Sequence, residues 1–333
     1  MSRVSWSTCD GSACLRVHDV PAAGRVAVRP SSARGVASRP ATAGRLVVDG
    51  DDVCFVPRFP FLDGTEYEVE VDGSVIGRAS STARPPEPPT TEVVAIRPTA
   101  GAVPRNLLRG YVEFSAPMRE AGRAHVRLVD DEGAPLVGAL LPTAYELWDP
   151  DRRRLTVLLD PARIKRGLVP HRAIGYPLRE GTTVSLVVDA EFPDASGRPL
   201  RAGATRTWTV IGDERRRVVP SSWVVRPGAV GTRDPLQVTF ERPLDHALAA
   251  RCLRVADPAG VVVGSGEVGH EARSWTFVPV APWRAAPHRL AVDPVLEDVA
   301  GNSVQRVFDR DLSSPSDAPR DGAGPVELPF TPR

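Results

Sequence analysis

The sequence predicts an all-β fold in which antiparallel β-sandwich domains follow one another along the chain. Three features indicate it: short stretches in which apolar and polar residues alternate, frequent proline and glycine, and an internal repeat. The 333 residues include 34 prolines and 28 glycines, and both residue types interrupt helices and favour turns. A hydrophobic content of 42% with 25% charged residues is ordinary for a folded globular protein. We therefore expect short strands, frequent loops and no long helix.

The strands are indicated by a period of two, which places alternate side chains on opposite faces of a half-buried sheet. The clearest examples are Tyr111-Val-Glu-Phe114, His125-Val-Arg-Leu-Val129, Arg154-Leu-Thr-Val-Leu158 and Thr183-Val-Ser-Leu-Val-Val188. Strands of about five residues, rich in valine and threonine and separated by turns, are typical of a two-sheet immunoglobulin-like (Ig-like) sandwich. A doubly wound α/β fold needs an amphipathic helix between successive strands, and the sequence has no such stretch.

Two breaks in this pattern divide the chain. The first is Ala83-Arg-Pro-Pro-Glu-Pro-Pro-Thr90, whose prolines cannot donate to a sheet, and the second is the charged run Asp213-Glu-Arg-Arg-Arg217. A domain commonly holds roughly 100 to 150 residues, and three domains fit these breaks best. The predicted order is a divergent Ig-like β domain at 1–83, a Pro-rich linker at 84–91, an Ig-like sandwich at 92–212, a linker at 213–220, an Ig-like sandwich at 221–312 and a mobile tail at 313–333.

The second and third segments are an internal repeat, because the same motifs occur in them in the same order. Val112-Glu-Phe-Ser-Ala-Pro-Met118 matches Val238-Thr-Phe-Glu-Arg-Pro-Leu244 near the start of each segment. Phe192-Pro-Asp-Ala-Ser-Gly-Arg198 matches Leu296-Glu-Asp-Val-Ala-Gly-Asn302 near the end, as a turn just after a strand. The first segment shares some strand motifs with these two but lacks the Phe-x-x-Pro opening, so its domain class diverges from theirs.

These motifs resemble bacterial Ig-like domains of the S-layer (SbsA-type) class, whose repeats open with a Phe-Ser-x-Pro-Met-like strand end and close with Asp-x-Ala-Gly-Asn. The third segment closes with Asp298-Val-Ala-Gly-Asn302 intact, whereas the second has Ser196-Gly197 in place of Gly-Asn. The resemblance covers about 92–312. It implies the Ig-like fold and says little about a ligand, since such domains recur in envelope proteins, adhesins and secreted enzymes.

A long basic insert at 160–181 interrupts the repeat between two strands of the second segment. Long loops in compact domains either serve a function or fray. Similar inserts occur in other bacterial proteins of this Ig-like kind, which supports kinship without supplying a role. We predict that the insert is a contact loop. The candidate contact residues are Arg163, Lys165, Arg166, His171, Arg172 and Tyr176.

The cysteines are concentrated in the first segment, which holds Cys9, Cys14 and Cys54, whereas Cys252 lies in the third. An Asp10-Gly11 turn would pair two strands and bring the first two thiols together, so a Cys9 to Cys14 disulfide is one expectation. The alternative is that all of them are reduced, partly buried side chains of a cytosolic protein.

Zinc binding is a third possibility for this segment, through four residues whose side chains are zinc ligands elsewhere. The set is Cys9, Cys14, His18 and Cys54. The Cys-x4-Cys spacing is looser than that of most zinc sites, and the remaining histidines are scattered along the chain. We therefore predict no metal ligand.

Other strings that could carry chemistry fit turns better. Gly264-Ser-Gly-Glu-Val-Gly269 matches a dinucleotide-binding string, but that chemistry needs a helix after the glycines and Arg273-Ser-Trp-Thr-Phe277 follows as a strand. Asp130-Asp-Glu-Gly133 and Asp149-Pro-Asp151 offer oxygen ligands without the spacing of a calcium loop. We predict no cofactor.

The sequence also argues against an enzyme and against a nucleic-acid partner. It has no Gly-x-Ser-x-Gly motif, no cysteine in an evident nucleophile setting and no carboxylate pair that spacing places across a cleft. The formal net charge is +1, and acidic residues precede both arginine runs, Arg152-Arg-Arg154 and Arg215-Arg-Arg217. A polyanion therefore has no matching basic surface.

The function predicted first is a non-enzymatic structural or interaction protein built of Ig-like modules, with a protein or cell-surface partner. One alternative is a carbohydrate- or ligand-binding accessory module, which would show aromatic rings on one exposed sheet face. Another is a hydrolase with an unrecognised site, which would show a deep pocket with converging carboxylates or a histidine. The binding partner and the oligomeric state do not follow from the sequence.

Localisation is expected at the cell envelope or outside the cell. The resemblance and the paired cysteines favour export, whereas the start of the sequence lacks the continuous apolar core of a signal peptide. No stretch reaches the roughly 18 to 20 apolar residues of a transmembrane helix.

Overall fold

The computed structural model describes residues 3–9, 12–20, 24–31, 40–82, 88–120, 125–143, 145–311, 319 and 324–333. The chain divides into two compact units, Met1–Glu87 and Pro88–Arg333. Among the described residues, strands far outnumber helices and form six sheets, which confirms the predicted all-β, Ig-like sandwich fold. The division into three domains with the bounds given above stays a prediction.

The first unit is a sandwich of a four-stranded and a three-stranded sheet, in the orders β1-β2-β5-β4 and β3-β6-β7. Its strands are β1 (Val4–Cys9), β2 (Ser12–Val17), β3 (Val26–Pro30), β4 (Gly44–Asp49), β5 (Asp52–Pro57), β6 (Glu66–Val71) and β7 (Ser74–Ser80). Alternation decides which side chains face the core: in β6, Tyr67 and Val69 are buried while the intervening glutamates are not. They pack with Leu15, Val28 and Phe55.

The second unit begins with a sandwich whose sheets have the orders β12-β13-β10-β8 and β11-β14-β15-β9. Its strands are β8 (Val93–Arg97), β9 (Ala102–Pro104), β10 (Arg109–Phe114), β11 (Val126–Val129), β12 (Leu147–Trp148), β13 (Arg154–Leu158), β14 (Thr183–Val188) and β15 (Ala204–Ile211). Strand β9 pairs in parallel with β15, and the other pairs are antiparallel. The core contains Trp208, Phe192 and Leu186, all almost completely buried.

The insert in this sandwich forms two short helices, α1 (Pro161–Ile164) and α2 (Val169–Ile174), instead of an irregular loop. The side chain of Asp160 caps α1 by accepting a hydrogen bond from the Ala162 N–H, and Pro161 occupies the first position of the helix. Both features are common helix starts, since a carboxylate satisfies a free N–H and proline has no N–H to leave unpaired.

A further sandwich completes the second unit, with sheet orders β16-β17-β21-β20 and β19-β18-β22-β23. Its elements are β16 (Val224–Arg226), β17 (Leu236–Thr239), α3 (His246–Cys252), β18 (Leu253–Asp257), β19 (Gly260–Val261), β20 (Gly264–Val268), β21 (Ser274–Pro279), β22 (His288–Val292) and β23 (Val326–Phe330). The core contains Trp275, Phe277 and Leu290. The glycine string at 264–269 forms β20, as part of a hairpin with β21, and not a phosphate loop.

The last strand corrects the prediction of a mobile tail over 313–333. Strand β23 pairs with β22 along its whole length, with Leu328 opposite Leu290 and Phe330 opposite His288. Val326, Leu328 and Phe330 alternate along the strand and pack against the core, so a period-two signal was present but short. Most of the predicted tail before β23 lies outside the described residues, as do 84–87 of the predicted Pro-rich linker.

The internal repeat has one closing turn in common between the two sandwiches of the second unit. The Oδ1 atom of Asp194 accepts hydrogen bonds from the backbone N–H groups two and four residues later, at 2.8 and 3.0 Å. Asp298 does the same at 3.0 and 2.9 Å. Gly197 and Gly301 both have a φ of +81°, a conformation that strongly favours glycine. The aspartate and glycine of the motif therefore build the turn.

The opening motif of each repeat meets this turn. Met118 forms an isolated β-bridge with Asp194, and Leu244 forms the equivalent bridge with Asp298. Both Met118 and Leu244 are buried in the cores of their sandwiches. The two ends of the sequence motif are thus neighbours in space, which explains why they recur together.

Candidate functional site

The insert is held in place by the buried side chain of Arg163. Its guanidinium group donates to the carbonyl oxygens of Gly138 at 3.0 Å, Gly175 at 3.2 Å and Tyr176 at 2.7 Å. Burial lowers the pKa of Arg163 from its usual value, while three carbonyl acceptors satisfy the donors that burial removes from water. Arg163 therefore fixes the insert internally and is not exposed to a partner.

Tyr176 is also engaged inside the second unit. Its hydroxyl donates to Asp213 Oδ2 at 2.7 Å, and the Arg105 guanidinium lies 4.5 Å from the ring centroid. Arg105 also forms an ion pair with Asp213. Burial by itself would raise the pKa of Asp213, but the hydrogen bonds from Arg105 and Tyr176 outweigh it and lower the pKa. The first residue of the predicted second linker is thereby tied to the insert.

Two more of the predicted contact residues, Lys165 and Arg166, contact Phe308 and Asp309 of the third segment. The Nζ atom of Lys165 lies 4.6 Å from the centroid of the Phe308 ring. The Nε atom of Arg166 donates to Asp309 Oδ2 at 3.1 Å, and Arg215 pairs with the same carboxylate. About half of the Arg166 side chain, 49%, remains exposed, so only its outer part is accessible.

His171 packs edge-on against the Tyr176 ring, with centroids 4.6 Å apart, and its Nδ1 lies within hydrogen-bond distance of the Arg163 carbonyl. Arg172 is exposed on α2. Five of the six predicted residues thus take part in contacts within the second unit, and Arg172 faces solvent. The structure brings these residues together but uses most of them to stabilise the insert.

The insert also exposes apolar side chains. Leu168, Val169 and Ile174 are 43%, 76% and 68% exposed. We call these three side chains together with Arg172 the α2 patch. The basic character predicted for the insert did not indicate these apolar side chains, although all three lie close to its arginines in the sequence.

Three thiols meet in the first unit, on the adjacent strands β1, β2 and β5. The Sγ atoms of Cys9 and Cys14 are 3.1 Å apart, and with Cys54 all three lie within 4.8 Å of one another. All three are free thiols, since 3.1 Å exceeds a sulfur–sulfur bond of about 2.05 Å. The disulfide stays a prediction, and the Asp10-Gly11 turn lies outside the described residues.

His18 does not join the thiols, contrary to the four-ligand zinc set. Its Nε2 atom lies 2.9 Å from the Ser5 hydroxyl and its Nδ1 atom lies 3.0 Å from Asp52 Oδ2.

Burial is the main cause that raises the pKa of Cys14, to about 12, so this thiol is protonated near neutral pH. It is therefore a weak nucleophile, because the thiolate is the reactive form.

A buried polar network joins the two sandwiches of the second unit. Tyr111 donates to Asp245 Oδ2 at 2.7 Å, and Arg109 pairs with Asp245 at 3.3 Å. Asp245 also caps α3 by accepting from the Leu248 N–H at 2.9 Å. In addition, the Leu108 N–H donates to the Val299 carbonyl at 3.0 Å. Apart from the helix cap, these contacts connect residues more than a hundred positions apart in the sequence.

Hydrogen bonds also hold the predicted linker 213–220 in this junction. The backbone carbonyl of Glu214 accepts from the side-chain amides of Asn106 at 2.8 Å and Asn302 at 2.9 Å. Arg242 donates to Asp298 Oδ2 at 3.1 Å and to the Arg217 carbonyl at 2.9 Å. One residue from each sandwich thus holds the same peptide group.

A cavity of about 500 Å³ lies beside this junction. Its acidic lining residues are ion-paired: Glu241 with Arg216 at 2.9 Å, Asp298 with Arg242 at 3.1 Å, and Glu271 with Arg273 at 3.8 Å. A carboxylate that is ion-paired with an arginine stabilises the fold. A catalytic acid and a catalytic base would both have to face the same substrate position. The geometry does not assemble a hydrolytic centre from these residues.

A second cavity, of about 530 Å³, lies within the first unit and has an aromatic wall. The Trp6 and Phe61 rings meet edge to face with centroids 5.0 Å apart, and the Trp6 indole N–H donates to the Ser80 carbonyl at 2.9 Å. Arg58 and Asp63 add charged groups to the lining. An apolar wall with a few polar groups is typical of small-ligand sites.

No family model matches the chain, and no curated protein matches it. Among solved structures, 84% of the chain is similar to 88% of the I9–I11 tandem of titin, at 10% identity and a TM-score of 0.17. The FN1–FN3 domains of chicken CNTN1 are similar over 98% of their length to 99% of the chain, at 11% identity and a TM-score of 0.22. Native alpha-2-macroglobulin from Escherichia coli, spanning domains MG0-NIE-MG1, is similar over 71% of its length to 73% of the chain, at 9% identity and a TM-score of 0.25.

Among the described residues, no helix is long and apolar enough to cross a membrane.

Proposed function

We propose that this chain is a non-enzymatic structural and interaction protein whose Ig-like modules present the α2 patch to a protein partner. The observation that carries the proposal is that Leu168, Val169 and Ile174 are exposed on an insert whose frame is fixed by Arg163. Exposed apolar clusters on a folded surface mark interaction sites. A surface that is already ordered loses less conformational entropy when it binds.

The chemistry of the patch indicates the class of partner. Three of its side chains are aliphatic, and two exposed basic groups, Arg172 and the outer half of Arg166, belong to the same insert. Such a surface matches a protein with an apolar contact area bordered by carboxylates, because rim charges guide the encounter and apolar groups supply the affinity.

The junction supports the structural part of the proposal. Hydrogen bonds from both sandwiches of the second unit to Glu214, and the contact of Tyr111 with Asp245, hold the two sandwiches as a pair. A paired module keeps the α2 patch at a fixed position on one body. The ion-paired lining of the neighbouring cavity supports a non-enzymatic role.

The sequence motifs bear on the kinship of the chain and on its place in the cell. The opening and closing motifs of the repeat support kinship with bacterial Ig-like domains of the SbsA-type class, and that kinship supports a place at the cell envelope or outside the cell. The shared turn at Asp194 and Asp298 supports treating 92–212 and 221–312 as two copies of one module, as the predicted bounds have them.

Site-specific photo-crosslinking tests this function. A photoreactive amino acid at Val169 in the full chain, in cells of the source organism, should yield a discrete crosslinked protein on irradiation. The same label at Val137, which is 90% exposed on the same sandwich, is the matched control and should not yield that product. The proposal fails if position 169 yields no product, or only products that position 137 also yields.

A second candidate function is binding of a small ligand such as a sugar in the aromatic cavity of the first unit. The specific observation is the Trp6 and Phe61 wall beside Arg58 and Asp63, since aromatic rings stack on apolar sugar faces. A glycan array probed with the full chain and with Trp6→Ala tests it. Binding that the Trp6→Ala variant loses and a Trp148→Ala variant keeps supports this function, and an array without signal rejects it.

A further inference from the structure

The three thiols of the first unit form a compact cluster on one face of a sheet. Cys14 and Cys54 are completely buried, and Cys9 is partly exposed. They pack with Val47 and Val56 in a small cluster of their own, separate from the main core between the two sheets. The strand pairing fixes this arrangement, because Ser7 is opposite Cys14 and Arg16 is opposite Cys54. Side chains two residues apart in a strand point to the same face, so Cys9 lies on the face of Ser7, and Cys14 lies on the face of Arg16.

The spacing of the sulfur atoms matches a three-coordinate metal ion. A metal–thiolate bond of about 2.3 Å places three ligands in a plane about 4 Å from one another. The thiols already lie within 4.8 Å of one another, with Cys9 and Cys14 at 3.1 Å. Small side-chain rotations are therefore enough to reach the required geometry, and the backbone of the three strands can stay in place.

The number of ligands distinguishes among metals that prefer thiolates. Thiolate ligands select copper(I), zinc and iron–sulfur clusters, and structural zinc is almost always bound by four ligands. Among the described residues, the cluster of potential ligands consists of these three thiols, and the nitrogen atoms of His18 lie against Ser5 and Asp52. Three sulfur atoms complete the coordination of copper(I) but leave zinc one ligand short.

We propose that Cys9, Cys14 and Cys54 form a binding site for one copper(I) ion. Binding is a ligand exchange without electron transfer: copper(I) gives up the ligands that it carries in solution, three Sγ–H groups release their protons to the buffer, and the three Sγ atoms bind the metal. The partial exposure of Cys9 gives the metal a path to the site, while the burial of the other two thiols shields the ion from water. The reduced chain is required, because a Cys9 to Cys14 disulfide would remove two of the three ligands.

Copper(I) titration of the reduced full chain under anaerobic conditions tests the site. All four thiols are first verified by a thiol count, and copper(I) is then added in competition with a chromogenic copper(I) chelator. The wild-type chain and the Cys252→Ser variant should each bind one equivalent. The Cys14→Ser and Cys54→Ser variants should bind more than about 100-fold more weakly, because each lacks a direct ligand.

Alkylation mapping of the wild-type chain gives a readout that does not depend on variants of buried residues. In native buffer, copper(I) should slow the alkylation of Cys9, Cys14 and Cys54 relative to the copper-free chain, whereas the alkylation of Cys252 should not change. The site is refuted if the chain does not compete with the chelator, if protection follows Cys252, or if the reduced chain does not show four thiols. Tighter binding of zinc than of copper(I) by the same thiols refutes the three-coordinate assignment.

Discussion

Asp194 and Asp298 occupy the same position in two turns of the same kind, but their carboxyl pKa values are shifted in opposite directions. For Asp194, burial alone would raise the pKa, but two backbone N–H groups and the Thr91 hydroxyl, at 3.0 Å, outweigh it and lower the pKa. For Asp298, which is completely buried, burial is the largest cause and raises the pKa to about 6, although Arg242 opposes it. The same backbone geometry therefore gives opposite directions, because desolvation differs between the two sites.

Replacing Asp194 by Asn should change how stability depends on pH. The pKa of Asp194 is lowered in the folded chain, so its charge stabilises the fold above the ordinary carboxyl pKa of about 3.9, and that contribution is lost as the pH falls through the lowered value. At pH 7 we expect Asp194→Asn to cost about 1.5 to 3 kcal/mol, and the difference should shrink below about pH 4. Urea unfolding from pH 7 to pH 2.5 measures it. A difference that stays constant over this range would contradict the prediction.

Replacing Arg163 by Ala should destabilise the second unit. The substitution leaves the carbonyl oxygens of Gly138, Gly175 and Tyr176 without their donor. A hydrogen bond to a charged group contributes about 1.5 to 3 kcal/mol to the free energy of unfolding. We expect a loss of about 2 to 3 kcal/mol in urea unfolding. Arg172→Ala, on the same insert but exposed, is the matched control and should change stability by less than about 0.5 kcal/mol. Equal effects of the two substitutions would show that Arg163 does not anchor the insert.

Among the elements, those with a clear period were predictable and the short ones were not. The alternating stretches at 111–114, 154–158 and 183–188 lie within β10, β13 and β14, because a half-buried strand imprints its faces on the sequence. The helix α1 has only four residues, too few to show a helical period. Strand β23 was missed since its alternation is only five residues long.

The position of the insert along the chain was predictable, but the contacts of its side chains were not. The sequence located the insert, because a long segment between two strands of a repeat stands out. It did not show that Arg163 points inwards or that Tyr176 meets Asp213 at 2.7 Å, since both depend on pairings between residues distant in the chain. For the thiols, the short spacing along the chain predicted that Cys9 and Cys14 are neighbours, whereas the approach of Cys54 depends on the pairing of β2 with β5.

Strand β23 should be necessary for the edge of the third sandwich. Leu328 faces Leu290 across the sheet, so we expect Leu328→Ala to cost about 1 to 2 kcal/mol, below the range for a fully buried leucine. Faster hydrogen exchange at the backbone amides of β22 would report the loss. Glu267→Ala, at an exposed position of β20 in the other sheet of this sandwich, should leave this exchange unchanged. If Leu328→Ala also leaves it unchanged, β23 does not stabilise the sheet edge.

In the second unit as a whole, the junction converts two sandwiches into a single compact body. Asn106 of one sandwich and Asn302 of the other donate to the same carbonyl of Glu214, which makes the connecting segment part of the interface. The contacts are polar and mostly buried, so separating the sandwiches would leave groups such as the Tyr111 hydroxyl and the Asn106 amide without these partners. This arrangement gives a fixed relative position, which a flexible linker between two independent modules would not provide.

A double-mutant cycle on Tyr111 and Asp245 tests the docking directly. The two side chains are 134 positions apart in the sequence and join the two sandwiches through a 2.7 Å hydrogen bond. Residues in direct contact show interaction energies of about 0.5 to 3 kcal/mol, whereas distant residues are additive. We expect a coupling of about 1 to 2 kcal/mol between Tyr111→Phe and Asp245→Asn in urea unfolding. Tyr145→Phe, at a site 81% exposed on the same sandwich as Tyr111, should show no coupling with Asp245→Asn. Additive effects for Tyr111 would mean that the sandwiches are not docked through this contact, and the fixed presentation of the α2 patch would lose its main support.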